Sequence, residues 1–119
     1  MHTQDDAYRA AAQWLRVLSH PARLQIVDEL RRGDACVCHL QAALRQSQPY
    51  VSQQLRVLRD LGVAETRREG VFVYYHLVDD RADRLLQTFV GPPRGTAARK
   101  SCDCPTDDPP ASLGPAPQG

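Results

Sequence analysis

Residues 34–62 read DACVCHLQAALRQSQPYVSQQLRVLRDLG, and the way this stretch divides decides the fold. The segment 34–45 has the spacing of a short helix, with Asp34 as its expected cap. Ser47 suits a second N-cap, and Pro49 falls in the next first turn, where a missing N–H is harmless. Val51, Leu55 and Leu58 then repeat on one face until Gly62 ends the helix. Two short helices over 34–45 and 47–61, joined by so tight a turn, predict a helix-turn-helix.

Downstream, the apolar period changes from helical to two. VAETRR (63–68) and VFVYYHLV (71–78) read as strands around Glu69-Gly70, with Val71, Val73, Tyr75 and Leu77 on one face. A hairpin in this place is a wing. DRADRLLQTFV (80–90) follows as a last helix, with Leu85, Leu86, Phe89 and Val90 on one side. Upstream, Ala7, Ala11, Trp14, Leu15 and Leu18 mark a first helix. SHPARLQIVDELRRG gives a second, with Ser19 as the expected cap, Pro21 in the first turn and Gly33 at the end. Its buried stripe is expected to be Leu24, Val27 and Leu30, with Ile26 alongside. The expected fold is mainly α with a β-hairpin, in the order α-α-α-α-β-β-α: a winged helix-turn-helix over residues 6–91.

Composition changes near Gly91. Seven of the nine prolines lie in 92–119, a segment too poor in apolar residues to offset its ordering entropy and expected to be a disordered tail. The 119 residues carry a formal net charge of +1, which neither requires nor excludes a DNA partner. No apolar run reaches membrane-spanning length, and the first residues lack the pattern of a secretory signal, so no membrane partner and a cytoplasmic location are expected. No nucleophile–base pair, paired carboxylates or Gly-rich phosphate loop has sensible spacing, so an enzyme is not expected.

The cysteines come as two C-x-C pairs, Cys36 with Cys38 and Cys102 with Cys104. The second pair lies in a segment with no core to join, so packing does not explain it. Four thiolates suit a tetrahedral ion such as zinc or cadmium, and three suit a trigonal soft ion. Helical residues i and i+2 project about 200° apart. Cys36 and Cys38 can therefore chelate one ion only if the start of helix 34–45 distorts, and that distortion would disturb the helix packed behind it. All four cysteines are expected metal ligands. Thiol oxidation, through a disulfide or persulfide link between the pairs, is the alternative use of the same residues. His39 is a weaker ligand candidate, because adjacent residues point differently.

VLSHPARLQIVDELRRGDACVCHLQAAL, followed by VSQQLRVLRDLGVAETRREGVFVYYHL, resembles the ArsR/SmtB metalloregulatory repressors. The likeness runs without gaps over about residues 15–79 and takes in the HP-x-RL opening, the C-V-C box, the VS-x-x-L helix and the YYHL wing strand. It implies a homodimer that holds an inverted-repeat operator in double-stranded DNA and releases it when a soft metal or metalloid ion binds thiolates. Arsenite, antimonite, cadmium, lead and zinc are the candidate inducers, and no cofactor is needed for folding. Some family members sense oxidants or reactive sulfur instead.

Two of the family's metal sites are not matched in full. Gln41 stands where the arsenite-sensing version has a third cysteine, and Asp80-Arg81-Ala82-Asp83 and Gln87, with no histidine, occupy the region where the zinc-sensing version has an Asp-x-His motif and a second His-rich motif. On a helix-turn-helix, the expected DNA contacts are Ser47, Gln48, Tyr50, Ser52, Gln53 and Arg56, with Arg67 and Arg68 from the wing. Val71 follows the wing glycine where the family often has arginine. Trp14, Leu15, Leu18, Leu85, Phe89 and Val90 make the first and last helices more apolar than a small monomer can cover, and the resemblance assigns them to a dimer interface. A winged-helix interaction module with structural zinc is the third reading.

Overall fold

The structure, a computed structural model, describes residues 2–94, with side chains from residue 5 onward. The expectations for 95–119, including those for Cys102 and Cys104, lie outside the described residues. The elements run α1 (His2–Leu18), α2 (Pro21–Arg32), α3 (Val37–Leu44), α4 (Gln48–Leu61), β1 (Ala64–Glu69), β2 (Phe72–Leu77) and α5 (Asp80–Phe89). This is the expected winged helix-turn-helix order.

The core is made where the helical stripes meet. Leu18 of α1, Ile26 and Val27 of α2, Leu40 of α3, Val51, Leu55 and Leu58 of α4, and Val63 are the largest fully buried side chains. Leu24, placed on the buried stripe of α2 by its spacing, is only partly buried, and Ile26 takes the core position instead. The expected turn chemistry holds around α4. The Ser47 hydroxyl accepts from the Tyr50 N–H, and Gly62 at φ +84° closes the C-terminus, its N–H donating to Arg59 and Leu58 carbonyls. Only Arg45, Gln46 and Ser47 separate α3 from α4, and Arg45 itself takes the left-handed conformation, φ 60°.

Three boundaries differ from the sequence expectation. The cap of α2 is His20, whose Nδ1 accepts from the Ala22 N–H at 3.3 Å, one residue beyond Ser19. The hairpin pairs Glu69 with Phe72, so its turn is Gly70-Val71, and Val71 is exposed in the turn instead of sharing the inner face of β2. Tyr75 and Leu77 do pack inward. The third difference is the start of α3, which begins at Val37 with Cys36 as N-cap. Asp34 is not the N-cap residue, because the chain at Ala35 pairs with Tyr75 of β2 in an antiparallel bridge. An extended residue at 35 leaves no room for a helix starting at 34.

Candidate functional site

The C-x-C pair straddles the start of α3. Cys36 is the N-cap, in extended conformation at φ −97°, ψ 170°, and Cys38 sits in the first turn. Cys36 is 4% exposed and Cys38 half-buried. The expected conflict between two helical cysteines is thereby reduced, because one of them lies outside the helix. Neither is a free thiol, for both Cys36 and Cys38 are disulfide-bonded. In this oxidised form their sulfurs offer no thiolate to an ion. Among the described residues no group of three or more His, Cys, Asp or Glu side chains is placed to hold a metal. His39 is engaged elsewhere, with Nε2 at 3.2 Å from Glu29, whose carboxylate also takes Arg32.

The residues before Cys36 tie it to the wing. Asp34 pairs with Arg67 of β1, and Arg67 also pairs with Glu69 at 3.1 Å while its guanidinium lies over the Tyr74 ring at 5.6 Å. The hydrogen bond that Arg67 donates to the Asp34 carboxylate is the largest influence holding the guanidinium in its charged form. Tyr75, bonded through its backbone to Ala35, has a phenol whose acidity is suppressed by burial, against the opposing charge of Arg59 from α4. Sequence spacing offered no sign of this link, because its partners stand some forty residues apart.

The outer face of α4 carries the expected polar set. Gln48, Gln53 and Arg56 are exposed, Ser52 is half-buried, and Tyr50 packs partly against the core. Arg68 is exposed, whereas Arg67 is occupied by carboxylates. Behind this face lies a residue that the reading missed. Gln54 is buried at 6% and accepts from Arg23 Nε at 2.8 Å, and the same arginine donates to the Val17 carbonyl at 2.9 Å. One guanidinium thus fixes α4 against α2 and satisfies a carbonyl at the end of α1. The signal was present, since Gln54 interrupts the Val51–Leu55–Leu58 stripe at an inward position.

The six residues assigned to a dimer surface divide in two. Leu18, 1% exposed, belongs to the core of one subunit. Trp14 is half-buried, its indole N–H donating to Asp79 at 3.1 Å and its ring carrying the Arg81 guanidinium at 4.8 Å. Leu85 packs partly on the core. Leu15, Phe89 and Val90 stay uncovered at 49%, 77% and 58% exposure. A groove of about 270 Å³ between α1 and α5 is lined by Leu15, Leu18, Leu24, Leu85, Leu86 and Phe89.

A family model described as "Bacterial regulatory protein, arsR family" matches residues 20–66. A biofilm growth-associated repressor from Xylella fastidiosa is 39% identical over 87 residues, covering 71% of this chain and 76% of that protein. The chain belongs to the arsR family. Members of this family are DNA-binding transcriptional regulators, not enzymes. The crystal structure of the transcriptional repressor BigR from Xylella fastidiosa superposes with a TM-score of 0.63 at 39% identity, covering 76% of this arsR-family chain and 97% of that one. A biofilm growth-associated repressor from Agrobacterium fabrum is 45% identical over 73 residues, and the match spans 62% of that relative's length, less than two thirds. The homodimeric winged helix-turn-helix domain of Mb0332 from Mycobacterium bovis, a possible ArsR-family regulator, has a TM-score of 0.67 at 27% identity, covering 75% of this chain and 82% of that one. No described helix is long and apolar enough to cross a membrane.

Proposed function

We propose that this arsR-family chain is a homodimeric transcriptional repressor whose hold on operator DNA is set by the oxidation state of Cys36 and Cys38. The observation that carries this reading is the disulfide bonding of both cysteines at the buried start of α3. Reduced, the same two sulfurs stand at a helix N-terminus, where the dipole and free N–H groups favour thiolate and hence reactivity. Each disulfide formed takes two protons and two electrons from a pair of thiols, and hydrogen peroxide accepts them and leaves as two waters. Cys102 and Cys104 are the chain's other cysteines and the proposed partner thiols. In the proposed complex, Ser47, Gln48, Tyr50, Ser52, Gln53 and Arg56 face an inverted-repeat operator, with Arg68 and a released Arg67 at its backbone. Leu15, Phe89 and Val90 join two subunits, in keeping with the homodimeric Mycobacterium bovis relative.

The reduced pairs are also the thiolate set that a soft metal or metalloid would take, so one experiment serves both readings. A duplex is selected from a random-sequence pool by the reduced protein. Its affinity is then measured for protein that is reduced, treated with peroxide, or titrated with arsenite or zinc. Peroxide should release the duplex reversibly, with dithiothreitol restoring it, and Cys36→Ser should bind in every condition. Release by the ions alone, with peroxide inert, transfers the function to metal sensing. Failure to select any duplex sequence removes the repressor reading.

A further inference from the structure

Three consecutive residues, Asp34, Ala35 and Cys36, join the thiol site to the wing. Ala35 and Tyr75 exchange both backbone hydrogen bonds, 3.0 Å from the Ala35 N–H and 2.7 Å from the Tyr75 N–H. That is the hydrogen-bonded pair of an antiparallel ladder. Ala35 therefore acts as a one-residue third strand on the edge of β2 that β1 leaves open. The residue before it, Asp34, holds Arg67 of β1. The residue after it is the disulfide-bonded Cys36, whose own carbonyl accepts the first hydrogen bond of α3 from Leu40.

We propose that residues 34–36 form a clamp that conveys the oxidation state of Cys36 to the wing, so that the wing, more than α3, delivers the switch to DNA. This rests on the thiol-switch reading above. The two possible outputs differ in how firmly they are held. Helix α3 is fixed by Leu40 and Leu44 inside the core and has little freedom to move alone. The wing is a two-stranded hairpin with β1 exposed from Glu65 to Glu69, and such a hairpin is marginal without a third partner. Ala35 supplies that partner. It is 1% exposed, adjoins a 4% exposed Cys36, and has no flexible residue between itself and the sulfur-bearing one. A backbone shift at Cys36 is therefore passed directly to Tyr75. Tyr75 in turn lies beside Arg59 of α4, so a displaced strand also disturbs the recognition helix at its C-terminal end. Asp34 adds an electrostatic part. Its carboxylate occupies Arg67 as a DNA phosphate would, so the clamp's position decides whether that cation is available.

The test is amide hydrogen exchange by NMR on the full chain, reduced with dithiothreitol and oxidised with hydrogen peroxide. The Ala35 and Tyr75 amides should change exchange rate by about 10-fold or more between the two states, while Gln54 and Leu55 in the middle of α4 should not. Equal rates at Ala35 and Tyr75 in both states overturn the clamp. Asp34→Asn is the second variant. It should speed Tyr75 exchange and shrink the ratio of reduced to oxidised affinity for the selected duplex several-fold, and an unchanged ratio counts against the proposal. If duplex affinity ignores oxidation while the two amides respond, the thiol-switch function fails, and with it the wing's role in DNA release, leaving only the mechanical link from Cys36 to Tyr75. If affinity responds while the amides do not, the clamp fails and the function stands.

Discussion

Asp79 does three things with one carboxylate. It caps α5 through the Arg81 N–H at 2.9 Å, binds the Arg81 guanidinium, and accepts the Trp14 indole N–H from α1. The hydrogen bond from Arg81 is the main reason its acidity is raised, and partial burial opposes it. Asp79→Ala should cost about 1–2 kcal/mol in chemical denaturation, as for a lost cap. A carboxylate with a lowered folded pKa contributes fully above its unfolded value of about 3.9 and loses that contribution as pH falls through the folded one. The gap between wild type and variant should therefore stay constant from about pH 6 to 8 and narrow below about pH 4. Gln53 is the opposite kind of residue, exposed on α4 and bonded to nothing among the described side chains. Gln53→Ala should leave the melting curve in place and weaken binding to the selected duplex by about 1–3 kcal/mol, the worth of one bidentate base contact. Unchanged affinity would mean that α4 does not present this face to the bases.

At the scale of elements, α5 is held to α2 by one nearly buried cation. The Arg31 side chain is 1% exposed and reaches Asp28 at 2.9 Å, Asp83 at 2.8 Å, Gln87 at 3.2 Å and the Gly91 carbonyl at 2.9 Å. Arg31→Met keeps the apolar stem and removes these bonds. Because Asp83 is half exposed and can return to water, the loss should be about 1–3 kcal/mol instead of the larger cost of a stranded buried charge. Exchange should quicken in α5 first, and a uniform loss of protection would show that Arg31 does not anchor that helix in particular. Nothing in the spacing of α2 announces this arginine's tie to α5, since Asp83, Gln87 and Gly91 lie more than fifty residues ahead. The same limit explains α3. Asp34 has capping chemistry, and by local rules it should start a helix. The bridge from Ala35 to Tyr75 outweighs that preference, and periodicity carries no trace of a one-residue strand. What spacing does record is local: the stripe of α4, its Ser47 and Gly62 ends, and the change to period two at the wing. The exposed polar face of α4 was legible for that reason. The ties of Cys36 to the wing, and of Gln54 to Arg23, were not, because each joins residues distant in the chain.

For the whole molecule, the question is what covers Leu15, Phe89 and Val90. Phe89 alone leaves 77% of its surface in water, at the mouth of the groove between α1 and α5. Apolar surface of this kind, gathered on the two terminal helices of the described fold, is the proposed seam of the homodimer. In the proposed complex with an inverted repeat, the two α4 helices would meet successive major grooves, about 34–36 Å apart, so that one subunit alone reads only one half-site. Phe89→Glu separates the contributions. Because Phe89 packs so little within its own subunit, the variant should fold and melt cooperatively near the wild-type temperature. A charge placed in an apolar seam should cost dimerisation about 2 kcal/mol or more, a rise of roughly 30-fold in the dimer dissociation constant. Light scattering at low micromolar concentration should then show a monomer for the variant and a dimer for the wild type. The selected duplex should bind the variant far more weakly, while a single half-site should bind both proteins alike. A variant that remains dimeric would place the seam elsewhere on the surface. Loss of half-site binding together with the dimer would mean that α5 supports the fold of α4 itself, with subunit pairing a consequence of that support.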